Sequence, residues 1–161
     1  MTIKVGDRLP EAKFRVMTAD GPAWKTTDDV FKGKLVALFA APGAYTGVCH
    51  RQHLPSIIGS ADALKAKGVQ SIAVVTVNDV FVQDAWKRDI DPKNQVEFLA
   101  DGNADFTKAV GLDIDMTAGG LGVRSKRYSM LVSNGVVKEL NIEDNPGTVE
   151  KSAGGALLKQ L

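Results

Sequence analysis

Apolar and polar positions alternate in short blocks along the chain, and each block has the length of one strand or one helix. Leu35-Val36-Ala37-Leu38-Phe39-Ala40 is apolar without a break, the pattern of a central strand covered on both faces. Residues 69–77, around Ile72-Ala73-Val74-Val75, and residues 96–100, Val96-Glu97-Phe98-Leu99-Ala100, read as two more strands. Ala12-Lys13-Phe14-Arg15-Val16-Met17 alternates instead, as a half-buried strand does. Asp20-Gly21-Pro22 then signals a turn, and Ala23-Trp24-Lys25-Thr26 reads as the returning strand. Near the other end, residues 127–132 and 136–140 flank Ser133-Asn134-Gly135. Asn-Gly between two such runs is the strongest short hairpin signal.

Between the strands the period lengthens to that of helices. Thr27-Asp28-Asp29 opens a short helix that Gly33 closes. Residues 47–67 carry Val48, Leu54, Ile57, Ile58, Ala61 and Leu64 near helical spacing. Pro55 is expected to kink this helix, and Lys65-Ala66-Lys67-Gly68 ends it with cations and a glycine. Residues 79–88 predict a helix with Phe81, Val82, Ala85 and Trp86 on its apolar side, and residues 105–110 a shorter one. A polar, glycine-rich loop covers 115–122, and the tail, 148–161, ends in a helix bearing Ala156, Leu157, Leu158 and Leu161. The order is a strand pair, three strand–helix units, a strand pair and a helix. It predicts an α/β protein with a mixed central sheet flanked by helices on both faces. The length, 161 residues, fits one domain over 1–161.

Composition narrows the function classes. Hydrophobic residues make up 44% and charged residues 24%, and the net charge is +1. That balance gives no reason to expect a nucleic acid or a membrane surface as partner. No apolar run approaches the ~20 residues of a bilayer span, and residues 1–7 lack the apolar core of a signal peptide, so a cytoplasmic location is expected. One cysteine and two histidines exclude an internal disulfide and predict no metal centre.

The single cysteine changes the picture more. Cys49 stands between the apolar run ending at Ala40 and the helical stretch. Most free cysteines are inert buried hydrophobes. With Thr46 as helix cap, however, Gly47, Val48 and Cys49 form the first turn, where unpaired N–H groups and the helix dipole favour a thiolate. A thiolate needs a cation, and an arginine supplies one that never deprotonates. Arg51, Arg124 and Arg127 are the candidates, and residue spacing does not choose among them. His50 and His53 have no acid at triad spacing and read as structural or modulatory.

Pro42-x-x-x-Thr46-x-x-Cys49 resembles the active-site motif of the peroxiredoxins, and Pro42-Gly43-Ala44-Tyr45-Thr46 with His53-Leu54-Pro55 resembles their type II (peroxiredoxin-5) branch. Val77-Asn78-Asp79, Phe98-Leu99-Ala100-Asp101-Gly102 and the block from Leu121 to Ser129 match in order and spacing as well. The resemblance implies a thioredoxin-like fold and a thiol-dependent peroxidase acting on hydrogen peroxide and organic hydroperoxides. It assigns Cys49 as the nucleophile, Thr46 as the residue orienting the peroxide, Pro42 as the shield and Arg127 as the catalytic arginine. Backbone amides near Gly47, Val48 and Cys49 would hold the peroxide oxygens, and a homodimer is implied.

The chain departs from the family pattern at Gly47-Val48, at His50 and at Val80. It also lacks the second cysteine that relatives carry near position 74 or position 151. The resemblance therefore implies a one-cysteine cycle completed by an external thiol, glutathione with glutaredoxin first and thioredoxin second, with no other cofactor. The competing reading is a non-enzymatic redox sensor that passes oxidation to a partner. A thiol–disulfide oxidoreductase is disfavoured, because Thr46 stands where a Cys-x-x-Cys motif needs its first cysteine.

Overall fold

The computed structural model describes residues 1–161. β1 (Lys13–Thr18) and β2 (Gly21–Thr26) form the first hairpin. Thr26 then caps α1 (Thr27–Phe31) in a reciprocal capping box with Asp29, a device worth about 1 kcal/mol. β3 (Leu35–Ala40) follows and leads by a loop into the Cys49 segment.

The helix expected over 47–67 is not continuous. Residues 49–53 form a π turn, in which Leu54 N–H donates to the Cys49 carbonyl five residues back. Pro55, which has no N–H to donate, follows directly. α2 (Leu54–Gly59) and α3 (Ala61–Ala66) then meet at Ser60. The disturbance expected from Pro55 thus takes the form of a re-registered turn around Cys49.

β4 (Ser71–Thr76), α4 (Val80–Ile90), β5 (Glu97–Ala100) and α5 (Asp105–Ala109) come next. The glycine-rich loop joins β6 (Asp113–Asp115) to β7 (Val123–Ser125), a small second sheet that periodicity did not reveal. β8 (Tyr128–Ser133) and β9 (Val136–Ile142) form the Asn-Gly hairpin. Asn134 and Gly135 have φ 46° and 79°, as a tight two-residue hairpin turn demands. Of the tail, only α6 (Gly154–Leu158) is helical.

The main sheet runs β2-β1-β5-β4-β3-β8-β9. Its centre, β5-β4-β3, is parallel and its flanks are antiparallel. This is the thioredoxin-like arrangement with helices on both faces. Strand parity divides the core in two. Val36, Leu38 and Ala40 join Val75, Leu99 and Met130 beneath α1 and α5 on the first face. Ala37 and Phe39 join Val74, Phe98 and Leu131 beneath α2, α3, α4 and α6 on the second. Cys49 belongs to the second cluster.

Candidate active site

Ala40, the last residue of β3, pairs with Tyr128, the first of β8. The loop that leaves β3 toward Cys49 and the residue that enters β8, Arg127, therefore lie at the same end of the sheet. Side chains alternate along a strand, and Leu131 is on the second face. Arg127, four residues earlier, falls on that face too, beside Cys49.

The sulfur of Cys49 accepts a hydrogen bond from Arg127 Nη2 at 3.1 Å. Both residues are almost fully buried, with 1% and 2% of their surfaces exposed. Arg127 Nε donates to the Pro146 carbonyl at 3.0 Å, and Nη1 donates to His53 Nδ1 at 2.9 Å. None of the chain's five salt bridges involves Arg127. A buried charge without a counter-ion is costly. Among the groups bonded to this guanidinium, Cys49 is the one that becomes an anion by losing a proton.

His53 lies fully buried. Arginine cannot accept a hydrogen bond, so Nδ1 must be the acceptor and Nε2–H donates to the Ser152 carbonyl at 3.0 Å. Burial first, and then the charge of Arg127, push its pKa down to about 4. The imidazole is thus neutral near neutral pH and adds no second positive charge beside the guanidinium. Ser152 is fixed in turn by Glu143, which accepts from Ser152 N and Oγ at 2.8 and 2.6 Å and from Glu150 N at 2.8 Å. Burial alone would raise the Glu143 pKa, but these hydrogen bonds outweigh it and hold it low. The loop between β9 and α6 supplies both carbonyls that orient Arg127 and His53.

The remaining residues singled out in the sequence surround the start of the turn. Thr46 does not act as a side-chain cap. Its hydroxyl donates to the Gly43 carbonyl at 2.8 Å, because the loop folds back on itself there. Its backbone carbonyl still begins the helical ladder by accepting from His50 N at 2.9 Å. The amides of Gly47, Val48 and Cys49 have no protein acceptor, as expected of a first turn. Pro42 is buried, and its carbonyl accepts from Arg124 Nη1 at 3.4 Å.

Arg124 also donates to the carbonyls of Val77 and Leu121 at 3.2 and 2.8 Å, so it fastens the loop and does not touch the sulfur. Gly43 packs beside it, where a Cβ would lie 2.8 Å from Arg124 Nη1 and oblige that guanidinium to shift. Arg51 is exposed on the outer side of the turn. Of the three arginines, only Arg127 reaches Cys49. His53, Pro146, Ser152 and Glu143 were not singled out as site residues by sequence reasoning. For His53 a signal existed: it follows Cys49 by four positions, the spacing that places two side chains on one helical face.

Residues 4–158 match the Redoxin family model. Peroxiredoxin-2E, chloroplastic, of Arabidopsis thaliana is 39% identical, over 99% of this chain and 70% of its own length. The hybrid peroxiredoxin hyPrx5 of Haemophilus influenzae is 42% identical, over 100% of this chain and 67% of its own length. The crystal structure of reduced Prx3 in complex with hydrogen peroxide from Vibrio vulnificus superposes with a TM-score of 0.92 at 43% identity, covering 99% of this chain and 96% of that one. With a thioredoxin-like sheet and a cysteine–arginine pair buried at one end of it, the chain belongs to the redoxin family and, within it, to the type II peroxiredoxins, thiol-dependent peroxidases.

Proposed function

We propose that Cys49 is the residue that reacts with the hydroperoxide and that the cycle is completed by a thiol from another molecule. One observation carries the first part: the buried Arg127 guanidinium has no carboxylate and donates to the Cys49 sulfur at 3.1 Å. In this reading the thiolate attacks the outer oxygen of the hydroperoxide. The S–O bond forms as the O–O bond breaks, and the departing alkoxide or hydroxide takes up a proton to leave as alcohol or water. Arg127 Nη2 and the free amides of Val48 and Cys49 face the charge that develops, as an oxyanion hole does. Thr46 keeps oxygen lone pairs free to accept the peroxide O–H, and Pro42 screens the site from water. The product, a Cys49 sulfenic acid, is the first step of cysteine oxidation.

With one cysteine in the chain, the sulfenic acid can form a disulfide only with another molecule. Glutathione with glutaredoxin is the reductant this reading favours, ahead of thioredoxin. The working unit is a homodimer, supported by the exposed Tyr45, Phe81 and Val82 side chains; sedimentation as a stable monomer at working concentration would refute it. Cys49→Ser is expected to abolish hydroperoxide consumption, and retained activity would overturn the assignment. A screen of the wild-type enzyme with one hydroperoxide and either thiol system identifies the reductant, and faster turnover with thioredoxin would reverse that order.

A further inference from the structure

β8 and β9 keep their register one step past the Tyr128–Ile142 pair, where Glu143 N–H donates to the Arg127 carbonyl at 3.0 Å. Glu143 and Arg127 are therefore cross-strand neighbours, whose side chains leave the ladder on the same face. Both are buried, with 6% and 2% of their surfaces exposed. Opposite charges placed in this way would ordinarily pair, yet no salt bridge joins them.

The Glu143 carboxylate is committed to the loop instead. Its Oε2 alone accepts from Glu150 N, Ser152 N and Ser152 Oγ, at 2.8, 2.8 and 2.6 Å. Its Oε1 accepts only from Thr148 Oγ1, at 3.4 Å. Two consequences meet at Cys49. The guanidinium keeps its charge for the sulfur, because the carboxylate that register places beside it is turned away. The Ser152 carbonyl is also fixed, and it is the acceptor that holds the His53 ring with Nδ1 toward Arg127. Among the influences on the His53 pKa, this carbonyl outweighs the charge of Glu143. Glu143 thus passes on geometry more than charge.

We propose that Glu143 is a positioning residue for the peroxide reaction: one carboxylate oxygen holds the β9–α6 loop so that Arg127, steadied by His53, stays aimed at Cys49 with no competing anion. The proposal rests on the reading of Cys49 as the residue oxidised by peroxide. Glu143 bonds to neither the sulfur nor the guanidinium. A role carried by one accepting oxygen makes a specific demand. Glutamine has one amide oxygen that can take the place of Oε2, and its NH2 can face the Thr148 hydroxyl. It should therefore serve nearly as well as the native residue.

The test uses the full chain with Glu143→Ala, Glu143→Gln, Ser152→Ala, Arg127→Ala and the double variant Glu143→Ala/Arg127→Ala. Oxidation of reduced Cys49 by hydrogen peroxide is followed by stopped flow. Glu143→Ala is expected to slow it about tenfold, as removing a group that supports an active-site residue does, and Glu143→Gln by no more than about twofold. In the Arg127→Ala background Glu143→Ala should cause no further loss, because an effect carried by Arg127 disappears with it. The chain has two histidines, and their long-range ¹H–¹⁵N spectra report the ring tautomers. His53 should keep its proton on Nε2 in the wild type and in Glu143→Gln, and share it between both nitrogens in Glu143→Ala. A loss of stability alone would not move that signature.

Equal losses in Glu143→Ala and Glu143→Gln overturn the role of the accepting oxygen. An unchanged rate in Glu143→Ala, or a loss that multiplies with that of Arg127→Ala, overturns the action through Arg127. Wild-type Cys49 that hydrogen peroxide leaves unoxidised overturns the reading of Cys49 instead. The positioning is then judged by His53 alone, and an Nε2–H tautomer kept in Glu143→Ala overturns it. Should Glu143→Ala fail to fold, Ser152→Ala removes one of the three donors to Oε2 and is expected to slow oxidation about threefold. An unchanged rate there overturns the proposal.

Discussion

Arg127 and Tyr128 are neighbours at the entry to β8, and both are almost fully buried, yet they occupy opposite faces of the sheet and are treated in opposite ways. The Tyr128 hydroxyl, on the first face, has no hydrogen-bond partner. Burial first, and the charge of Asp101 second, raise its pKa far above the usual value. It stays a passive ring with an orphaned hydroxyl, a defect of about 1–3 kcal/mol. Arg127, on the second face, carries a full charge, and each of its three nitrogens donates to an acceptor, two of them in the π turn and one in the β9–α6 loop. The first face serves packing alone and tolerates a small polar defect. The second face keeps a charge in its interior because the π turn and the β9–α6 loop are arranged around it. The difference shows where the fold has been shaped for chemistry instead of stability.

Arg127→Ala should show the largest effect. Losing a preorganised donor of this kind lowers rates by about 10²–10³-fold, read as the second-order rate of Cys49 with hydroperoxide by stopped flow. A comparable loss in Tyr128→Phe would dissolve the contrast between the faces.

His53 sharpens the contrast through pH. Its native pKa of about 4 lies below the unfolded value of about 6.5. Between these values the unfolded chain binds a proton that the native chain does not, so stability falls as pH is lowered. The contribution is complete above about pH 6.5 and is lost progressively down to about pH 4. The expected total is of order 3 kcal/mol. Urea unfolding across this range checks it. His53→Gln should flatten that part of the curve, and an unchanged slope would show that the neutral imidazole is not what sustains the arrangement.

Tyr128→Phe should show the smallest effect. Removing a buried hydroxyl that has no partner is expected to leave stability within about 1 kcal/mol of the wild type, or slightly above it, with peroxidase activity unchanged. A loss of several kcal/mol in thermal unfolding would mean that the hydroxyl is satisfied after all.

Much of this was legible in the chain, for local reasons. The unbroken run at Leu35–Ala40 is central in the sheet because every second side chain had to be buried on each face. The Asn134-Gly135 turn was legible because few other residues accept two left-handed positions in succession. The contrast between the two faces was half legible. Once Leu131 is known to face the second core, counting by twos assigns Arg127 to the same side and Tyr128 to the other. Which face carries Cys49, however, depends on how the helical segment packs, and periodicity does not specify that. Thr46 illustrates the opposite case. Its position suggested a cap, but the loop back to Gly43 offered its hydroxyl a nearer acceptor.

The sequence by itself determined the order of the main-sheet strands and of the helices between them, the strand–loop–helix junction at Pro42, Thr46 and Cys49, and, through its single cysteine, the absence of an internal disulfide. These depend on residues a few positions apart, where propensity and spacing act directly. Only the tertiary structure decided that Arg127 bonds to Cys49 while Arg124 fastens the loop and Arg51 faces outward. It alone showed that a neutral His53 and the carbonyls of Pro146 and Ser152 hold that arginine in place. Those partners lie up to 99 residues apart in the chain, and only the antiparallel pairing of β3 with β8, with the β9–α6 loop closing over their ends, brings them within hydrogen-bond reach.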